Sequence, residues 1–244
     1  MSLPDRANRS VDAGRPAPGA VIFDMGGLLL DTEPFYLRAW QRAARQLGRK
    51  LAEETFRGYS GKSDADAEDA LREHFGASFP IDAFRSLWPA LWHAEVQERP
   101  IAAKTGIGEL LEAVRRSGVP TAVATSSPAS RTELALRQAG IAEFFSVVVT
   151  REAVPRPKPA PDLYLEAARR LGVAPEACVA LEDSETGVRA AFAAGMRVIA
   201  IPDQREPSQA VRALALAVHE SALAAQPTVL ELVAPPSSRR RTGE

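Results

Sequence analysis

The residues of this chain whose types suit catalysis lie directly after, or in the loops between, short apolar segments. In chain order they are Asp24, Thr125 with Ser126, Lys158, and Glu182 with Asp183. Mg²⁺ in proteins binds carboxylate oxygens and often holds phosphate oxygens as well. A lysine ammonium offers a point charge to phosphate. The set therefore predicts chemistry on a phosphoryl group with bound Mg²⁺.

The apolar segments before these residues are typical of buried parallel strands. Val21-Ile22-Phe23 precedes Asp24, and VPTAVA at 119–124 precedes the hydroxyl pair. Gly26 and Gly27 then permit a tight turn with close approach of the backbone to a ligand. Because ligands of open α/β sheets bind outside the carboxyl ends of the strands, we expect the polar groups to converge on one edge of a sheet.

The pattern changes from all-helical to alternating near residue 103. Residues 50–100 carry three helical segments without a convincing strand, and strands and helices alternate afterwards. This order predicts an α/β fold, a doubly wound parallel sheet with an inserted α-helical cap domain. The predicted boundaries are a disordered arm at 1–17, a core at 18–34 and 103–235, a cap at 35–102 and a disordered tail at 236–244. Near the C-terminus we expect a helix over 208–218 and a short closing piece at 229–232.

Composition excludes several classes of protein. Hydrophobic residues make up 45% and charged residues 25%, and the net charge of -1 gives no basic field for nucleic acid. No apolar run reaches the roughly 18 residues of a membrane span. A single cysteine, Cys178, cannot form an internal disulfide and is consistent with a reducing cytoplasm. We expect a cytoplasmic monomer or weak dimer that acts on a small molecule.

The chain resembles the haloacid dehalogenase superfamily, in the subfamily whose helical cap follows the first motif. It is most similar there to phosphatases and β-phosphoglucomutases. The matching pieces, spread over about residues 20–233, are FDMGGLLLDTEP, VATSSP, KPAPDLY and LEDSETGVRAAFAAGM. The resemblance implies a Rossmann-like core and a Mg²⁺-dependent hydrolase of a small phosphorylated metabolite.

The resemblance also implies a role for each candidate residue. Asp24 would be the nucleophile that forms an aspartyl-phosphate, Thr125 a phosphate ligand, and Lys158 the charge that orients both. The implied Mg²⁺ ligands are Asp24, the Gly26 carbonyl and Asp183, with Glu182 in support. The implied substrate-binding residues are Gly27 and Ser126 in the core and Gly61, Lys62 and Ser63 in a cap loop.

Gly26 departs from the family pattern, which has a second Asp at this position followed by Gly-Thr. Here Gly27 and Leu28 follow instead. The missing Asp would be the general acid/base, and such a group typically contributes about 10²–10⁴-fold in rate. Three explanations are open: a phosphatase of weak activity, another chemistry, or a ligand-binding pseudoenzyme that keeps the fold.

The other chemistries are distinguished by residues elsewhere in the chain. Dehalogenases also lack the second Asp, but they need no Mg²⁺, and the Glu182-Asp183 pair argues against them. Phosphonatases have a small residue at the Gly26 position and a cap lysine that forms a Schiff base, for which Lys62 is the candidate. The alternative for Lys62 is a solvated or phosphate-contacting lysine. Phosphate-ester hydrolysis or transfer is the favoured interpretation.

Overall fold

The computed structural model describes residues 15–59, 64–203 and 206–234. It divides into two compact units. The core unit contains the residues up to Leu30 and from Ala103 onwards, and the helical unit is Asp31–Ala102. Residues 1–14 of the predicted arm at 1–17, the cap loop Gly61-Lys62-Ser63 and the predicted tail at 236–244 lie outside the described residues.

Six strands in the described part of the core unit form one sheet of order β3-β2-β1-β4-β5-β6, in which every neighbouring pair is parallel. Their bounds are β1 Ala20–Phe23, β2 Thr121–Ala124, β3 Val147–Val149, β4 Cys178–Glu182, β5 Arg197–Ala200 and β6 Ala217–Val218. β1 and β4 lie at the centre, and all of their residues are buried. Successive strand residues point to opposite faces, so both faces of the sheet are covered. The predicted α/β fold with a parallel sheet is confirmed.

Helices connect these strands as expected for a doubly wound sheet. In the helical unit they are α1 Glu33–Gln46, α2 Glu53–Arg57, α3 Asp64–Phe75 and α4 Ile81–Glu98. In the core unit they are α5 Ile107–Ser117, α6 Ala129–Gln138, α7 Asp162–Leu171, α8 Glu185–Ala193, α9 Gln209–Arg212 and α10 Ala222–Val233. α7 and α8 pack against the sheet with Tyr164 and Val188 in a buried cluster, and α5 packs against α10.

The two predictions near the C-terminus are wrong. The predicted helix over 208–218 stops at Arg212, and the segment ends in β6, where Ala217 pairs with Ile199. A short alternation of Ala and Leu is ambiguous between helix and strand, and pairing with β5 decides it. The predicted closing piece at 229–232 is part of α10, which Ser221 caps by accepting a hydrogen bond from Ala224 N–H at 3.2 Å. Pro227 lies inside that helix. Because proline is unfavourable in a helix interior, the sequence pattern did not indicate a helix there.

The described residues of the helical unit contain α1 to α4 and no strand. α1 packs along α4, and Trp40 of α1 makes edge-to-face contacts with Phe84 of α4 and Phe56 of α2, with ring centroids 5.1 and 5.7 Å apart. The unit thus has an aromatic core of its own. That it acts as a cap domain stays a prediction.

Candidate active site

Lys158 is the centre of a buried network at the carboxyl edge of the sheet. Its Nζ donates hydrogen bonds to Asp24 Oδ1 and Glu182 Oε1, both at 2.5 Å, and to the Ala124 carbonyl at 3.0 Å. Ala124 and Glu182 end β2 and β4, and Asp24 directly follows β1, which lies between those two strands. The structure therefore brings the predicted residues Asp24, Lys158 and Glu182 into direct contact, and all three are buried.

Both carboxylate oxygens of Glu182 are occupied by protein donors. Oε1 accepts from Lys158 and from the Tyr164 hydroxyl at 2.6 Å. Oε2 accepts from the backbone N–H groups of Asp183 and Ser184 and from the Ser184 hydroxyl, at 3.1 to 3.2 Å. Glu182 is also fully buried. This arrangement supports a role in holding Lys158 and argues against direct metal ligation by Glu182.

Gly187 provides the space for the Glu182 carboxylate. A Cβ at Gly187 would lie 1.8 Å from Glu182 Oε1, so any other residue there would displace the carboxylate. Sequence reasoning missed this requirement and missed Tyr164. The available signals were the tyrosine in the KPAPDLY piece and the glycine that follows the Glu-Asp pair in LEDSETG.

The turn after Asp24 is built on Gly27. Gly27 has φ of +87°, a conformation that side chains rarely adopt, and a Cβ there would lie 2.1 Å from Asp183 Oδ2. Its N–H donates to the Leu30 carbonyl at 3.0 Å, and its carbonyl accepts from Lys104 Nζ at 2.7 Å. Both backbone groups are thus used within the core unit. Only glycine fits against Asp183 at this position, and the predicted substrate-binding role of Gly27 stays a prediction.

Thr125 and Ser126 follow β2 beside the Asp24 strand end. Thr125 is buried, its N–H donates to the Val149 carbonyl at 3.0 Å, and its hydroxyl accepts from Ser127 N–H at 3.1 Å. Ser126 is partly exposed. Thr125 directly follows Ala124, whose carbonyl accepts from Lys158, so its hydroxyl belongs to the same strand edge.

Gly26 is partly exposed, whereas its neighbours in the turn are buried. It is not among the described glycines with positive φ, and it forms an isolated bridge with Leu30. Gly26 therefore does not have the left-handed φ that makes Gly27 difficult to replace. Metal binding by the Gly26 carbonyl stays a prediction.

Asp24, Glu182 and Asp183 each place a carboxylate oxygen within 4.8 Å of the others. Among the described residues, Lys158 is the cation that forms ion pairs with this group of carboxylates, through Asp24 and Glu182. Two negative charges are therefore in excess when all four groups are ionised. Hard divalent cations take carboxylate oxygens, so this donor set could hold such a cation.

The charge excess shows in the pKa values of these groups. Burial raises the pKa of Asp24 to about 7, although the Lys158 ammonium lowers it and the Glu182 charge adds to the rise. Burial and the charges of Asp24 and Glu182 raise the pKa of Asp183 well above its ordinary range. Burial disfavours the charged form of Lys158, but Asp24 and Glu182 outweigh it and raise its pKa. A bound divalent cation would favour the ionised carboxylates.

No helix among residues 15–59, 64–203 and 206–234 is long and apolar enough to cross a bilayer.

Comparison with known proteins identifies the family. A family model described as haloacid dehalogenase-like hydrolase matches residues 18–195. The phosphorylated carbohydrates phosphatase of Thermotoga maritima is 34% identical over 183 residues, which cover 74% of this chain and 83% of the relative. Hexitol phosphatase A of Escherichia coli is 37% identical over 183 residues, which cover 74% and 81%.

A solved structure extends the likeness to three dimensions. The crystal structure of CbbY from Rhodobacter sphaeroides in complex with phosphate superimposes with a TM-score of 0.73 at 29% identity, and the match covers 85% of this chain and 96% of that one. The predicted resemblance and the prediction of a hydrolase are confirmed. With its parallel sheet and strand-end acidic cluster, the chain belongs to the haloacid dehalogenase-like hydrolases.

Proposed function

We propose that the protein is a Mg²⁺-dependent phosphatase of small phosphorylated sugars or related metabolites, with Asp24 as its nucleophile. The observation that carries the proposal is the direct contact of Lys158 Nζ with both Asp24 and Glu182 at the sheet edge. The relatives named above as phosphatases of carbohydrate and hexitol phosphates support the substrate class. Transfer of the phosphoryl group to a second sugar site is the variant of the same chemistry implied by the resemblance to phosphoglucomutases.

In the proposed reaction, an Asp24 carboxylate oxygen attacks phosphorus, the bond from phosphorus to the ester oxygen breaks, and the alcohol leaves with a proton taken from solvent water. Lys158 holds the carboxylate in position, and the Thr125 O–H can donate to a phosphoryl oxygen. Water then attacks the aspartyl-phosphate and releases inorganic phosphate and the Asp24 carboxylate. Mg²⁺, held by Asp24 and Asp183, would supply positive charge to the phosphoryl oxygens.

Gly26 makes the two half-reactions unequal. It offers no acid for the leaving oxygen and no base for the attacking water. A good leaving group departs without full protonation, so aspartyl-phosphate forms readily from an activated aryl phosphate. Its decay needs an activated water, so the proposal expects decay to be slowed more than formation. The protein as it stands is then a slow phosphatase.

The test is steady-state and burst kinetics on the parent, Gly26→Asp, Gly26→Asn and Asp24→Asn, with alkyl phosphates and an aryl phosphate in the presence of Mg²⁺. Gly26→Asp should raise turnover of alkyl phosphates by about 10²-fold or more, the range of general acid/base catalysis. Gly26→Asn has the size of Asp without the acid and should give no such gain. Asp24→Asn should abolish turnover, because it removes the nucleophile.

An unchanged rate in a folded Gly26→Asp variant would contradict the proposal of a disabled phosphatase. Phosphonate cleavage that is lost in Lys62→Ala would then select the phosphonatase alternative. Absence of turnover in every variant, with retained binding of phosphate esters, would select the pseudoenzyme alternative. Lys62 lies outside the described residues, and nothing in the described geometry favours either alternative.

A further inference from the structure

Lys104 makes two hydrogen bonds to the turn that follows Asp24. Its backbone N–H donates to the Leu29 carbonyl at 2.9 Å, and its Nζ donates to the Gly27 carbonyl at 2.7 Å. Seventy-seven positions separate Lys104 from Gly27 in the sequence. Ala103, the preceding residue, forms an antiparallel bridge with Leu30. The core segment that resumes at Ala103 is thus attached to the turn at three points.

Asp203 holds the Lys104 side chain in place. Its Oδ1 lies 2.5 Å from Lys104 Nζ, and the two side chains are 16% and 29% exposed. Asp203 follows β5, and Ile201 N–H in the same segment donates to the Glu182 carbonyl at 2.7 Å. A fifth strand end, absent from the predicted set of site residues, therefore contributes a charged group beside the site.

The hydrogen bond from Lys104 to the Gly27 carbonyl is important because the Gly27 peptide packs closely against Asp183. The space for a Cβ at Gly27 is already within 2.1 Å of Asp183 Oδ2. A small displacement of this peptide would move it into, or away from, the carboxylate. Partly exposed ion pairs contribute little to global stability, so the effect of Lys104 should be local.

We propose that Lys104, oriented by Asp203, is a positioning residue that fixes the Gly27 peptide and thereby the position of Asp183 relative to Asp24. The consequence for metal binding rests on the proposed function, whereas the ordering of the turn does not. Groups that orient metal ligands from outside the coordination sphere typically change metal affinity by about 10–100-fold when they are removed.

The first measurement is amide hydrogen exchange by NMR in metal-free protein. In Lys104→Met, exchange of the Gly27, Leu29 and Leu30 amides should accelerate by about tenfold or more, because the turn loses a charged hydrogen bond. The β1 amides and the melting temperature should stay near those of the parent. Lys104→Arg should restore part of the protection. The matched control is Arg137→Met, which breaks an exposed ion pair with Glu133 on α6 and should leave the turn unchanged.

The second measurement is calorimetric titration with Mg²⁺ in the presence of inorganic phosphate. Lys104→Met should weaken Mg²⁺ binding by about tenfold or more, and Asp203→Asn by a smaller factor in the same direction.

The outcomes separate this proposal from the proposed function. Unchanged exchange at the turn amides in Lys104→Met overturns the positioning role, and so does faster exchange combined with parent-like Mg²⁺ affinity. If exchange is faster in Lys104→Met but the parent protein binds no Mg²⁺, the ordering of the turn by Lys104 is supported. The proposed metal site is then contradicted instead.

Discussion

Each of the two units contains a cluster of charged groups around at least one buried carboxylate, and the clusters differ in charge balance. In the helical unit, Glu95 accepts from Arg38 Nε at 2.6 Å and from Arg42 Nη1 at 2.8 Å. One carboxylate thus faces two cations. At the sheet edge of the core unit, the three carboxylates Asp24, Glu182 and Asp183 lie around Lys158. There the negative charges outnumber the described cation.

The pKa values follow this balance. Burial tends to raise the pKa of Glu95, but the hydrogen bonds from Arg42 and Arg38 outweigh it and lower the pKa. At the sheet edge, burial outweighs Lys158 and raises the pKa of Asp24 to about 7. Burial of an acidic residue therefore does not by itself mark a functional site. What distinguishes the core cluster is an excess of negative charge that a bound divalent cation would compensate.

The largest expected effect is removal of the cation from the core cluster. Lys158→Met leaves three neighbouring carboxylates without their described counter-ion. We expect it to lower the free energy of unfolding by about 3–5 kcal/mol, the cost of leaving buried charges uncompensated. Urea unfolding at neutral pH measures it, with Arg137→Met as the exposed control. A loss below about 1 kcal/mol would mean that the network is less tightly coupled than its distances indicate.

The matching change in the helical unit is Glu95→Gln. It removes the acceptor charge for Arg38 and Arg42 but keeps the size of the side chain. We expect a loss of about 1–3 kcal/mol, the range for buried hydrogen bonds to charged groups. The two arginines are partly exposed, so water can replace part of the interaction. Urea unfolding again measures the change, and a stabilised Glu95→Gln variant would contradict the comparison.

Much of the fold was predictable because burial on both faces makes the strands continuous apolar runs. Val21-Ile22-Phe23 lies within β1, and the predicted strand segment VPTAVA at 119–124 contains β2. β6 was not predictable in this way. Its two residues become a strand only through pairing with β5, and such a pairing leaves no local period in the sequence.

The candidate site was predictable in its members and less so in its contacts. Asp24, Lys158 and Glu182 each end or follow a strand, so the topology alone brings them to one edge. Tyr164 contacts Glu182 from the first turn of α7, and Lys104 reaches Gly27 across 77 positions. These two contacts depend on how elements pack in three dimensions, which residue type and spacing did not specify.

At Asp183 we expect a substitution to raise the free energy of unfolding, in contrast to the decreases expected at Lys158 and Glu95. Asp183→Asn removes one negative charge from the crowded core cluster, so it should raise the free energy of unfolding of the metal-free protein by about 1–2 kcal/mol, within the range of single stabilising substitutions. The same variant should no longer be stabilised by Mg²⁺. Urea unfolding with and without Mg²⁺ checks both expectations. Equal stabilisation of parent and variant by Mg²⁺ would rule out Asp183 as a ligand.

The smallest expected effect is the pH dependence of Mg²⁺ stabilisation. A carboxyl group whose pKa is raised by folding favours the folded state while it is protonated. Metal-free protein should therefore lose the Asp24 contribution as the pH rises from the ordinary value of 3.8 through about 7. Mg²⁺ needs the ionised carboxylate, so its affinity should increase over the upper part of the same range.

At a fixed Mg²⁺ concentration, we thus expect the increase in melting temperature to be about 2–4 °C greater at pH 8 than at pH 6, which corresponds to about 1 kcal/mol for a chain of this size. Thermal unfolding at both pH values measures it, with KCl of equal ionic strength as the salt control and Asp183→Asn as the ligand control. An equal increase at pH 6 and pH 8 would show that the excess charge of the core cluster is not what Mg²⁺ compensates. The difference in charge balance from the Glu95 cluster, whose two arginines already balance its charge, would then not indicate a metal site.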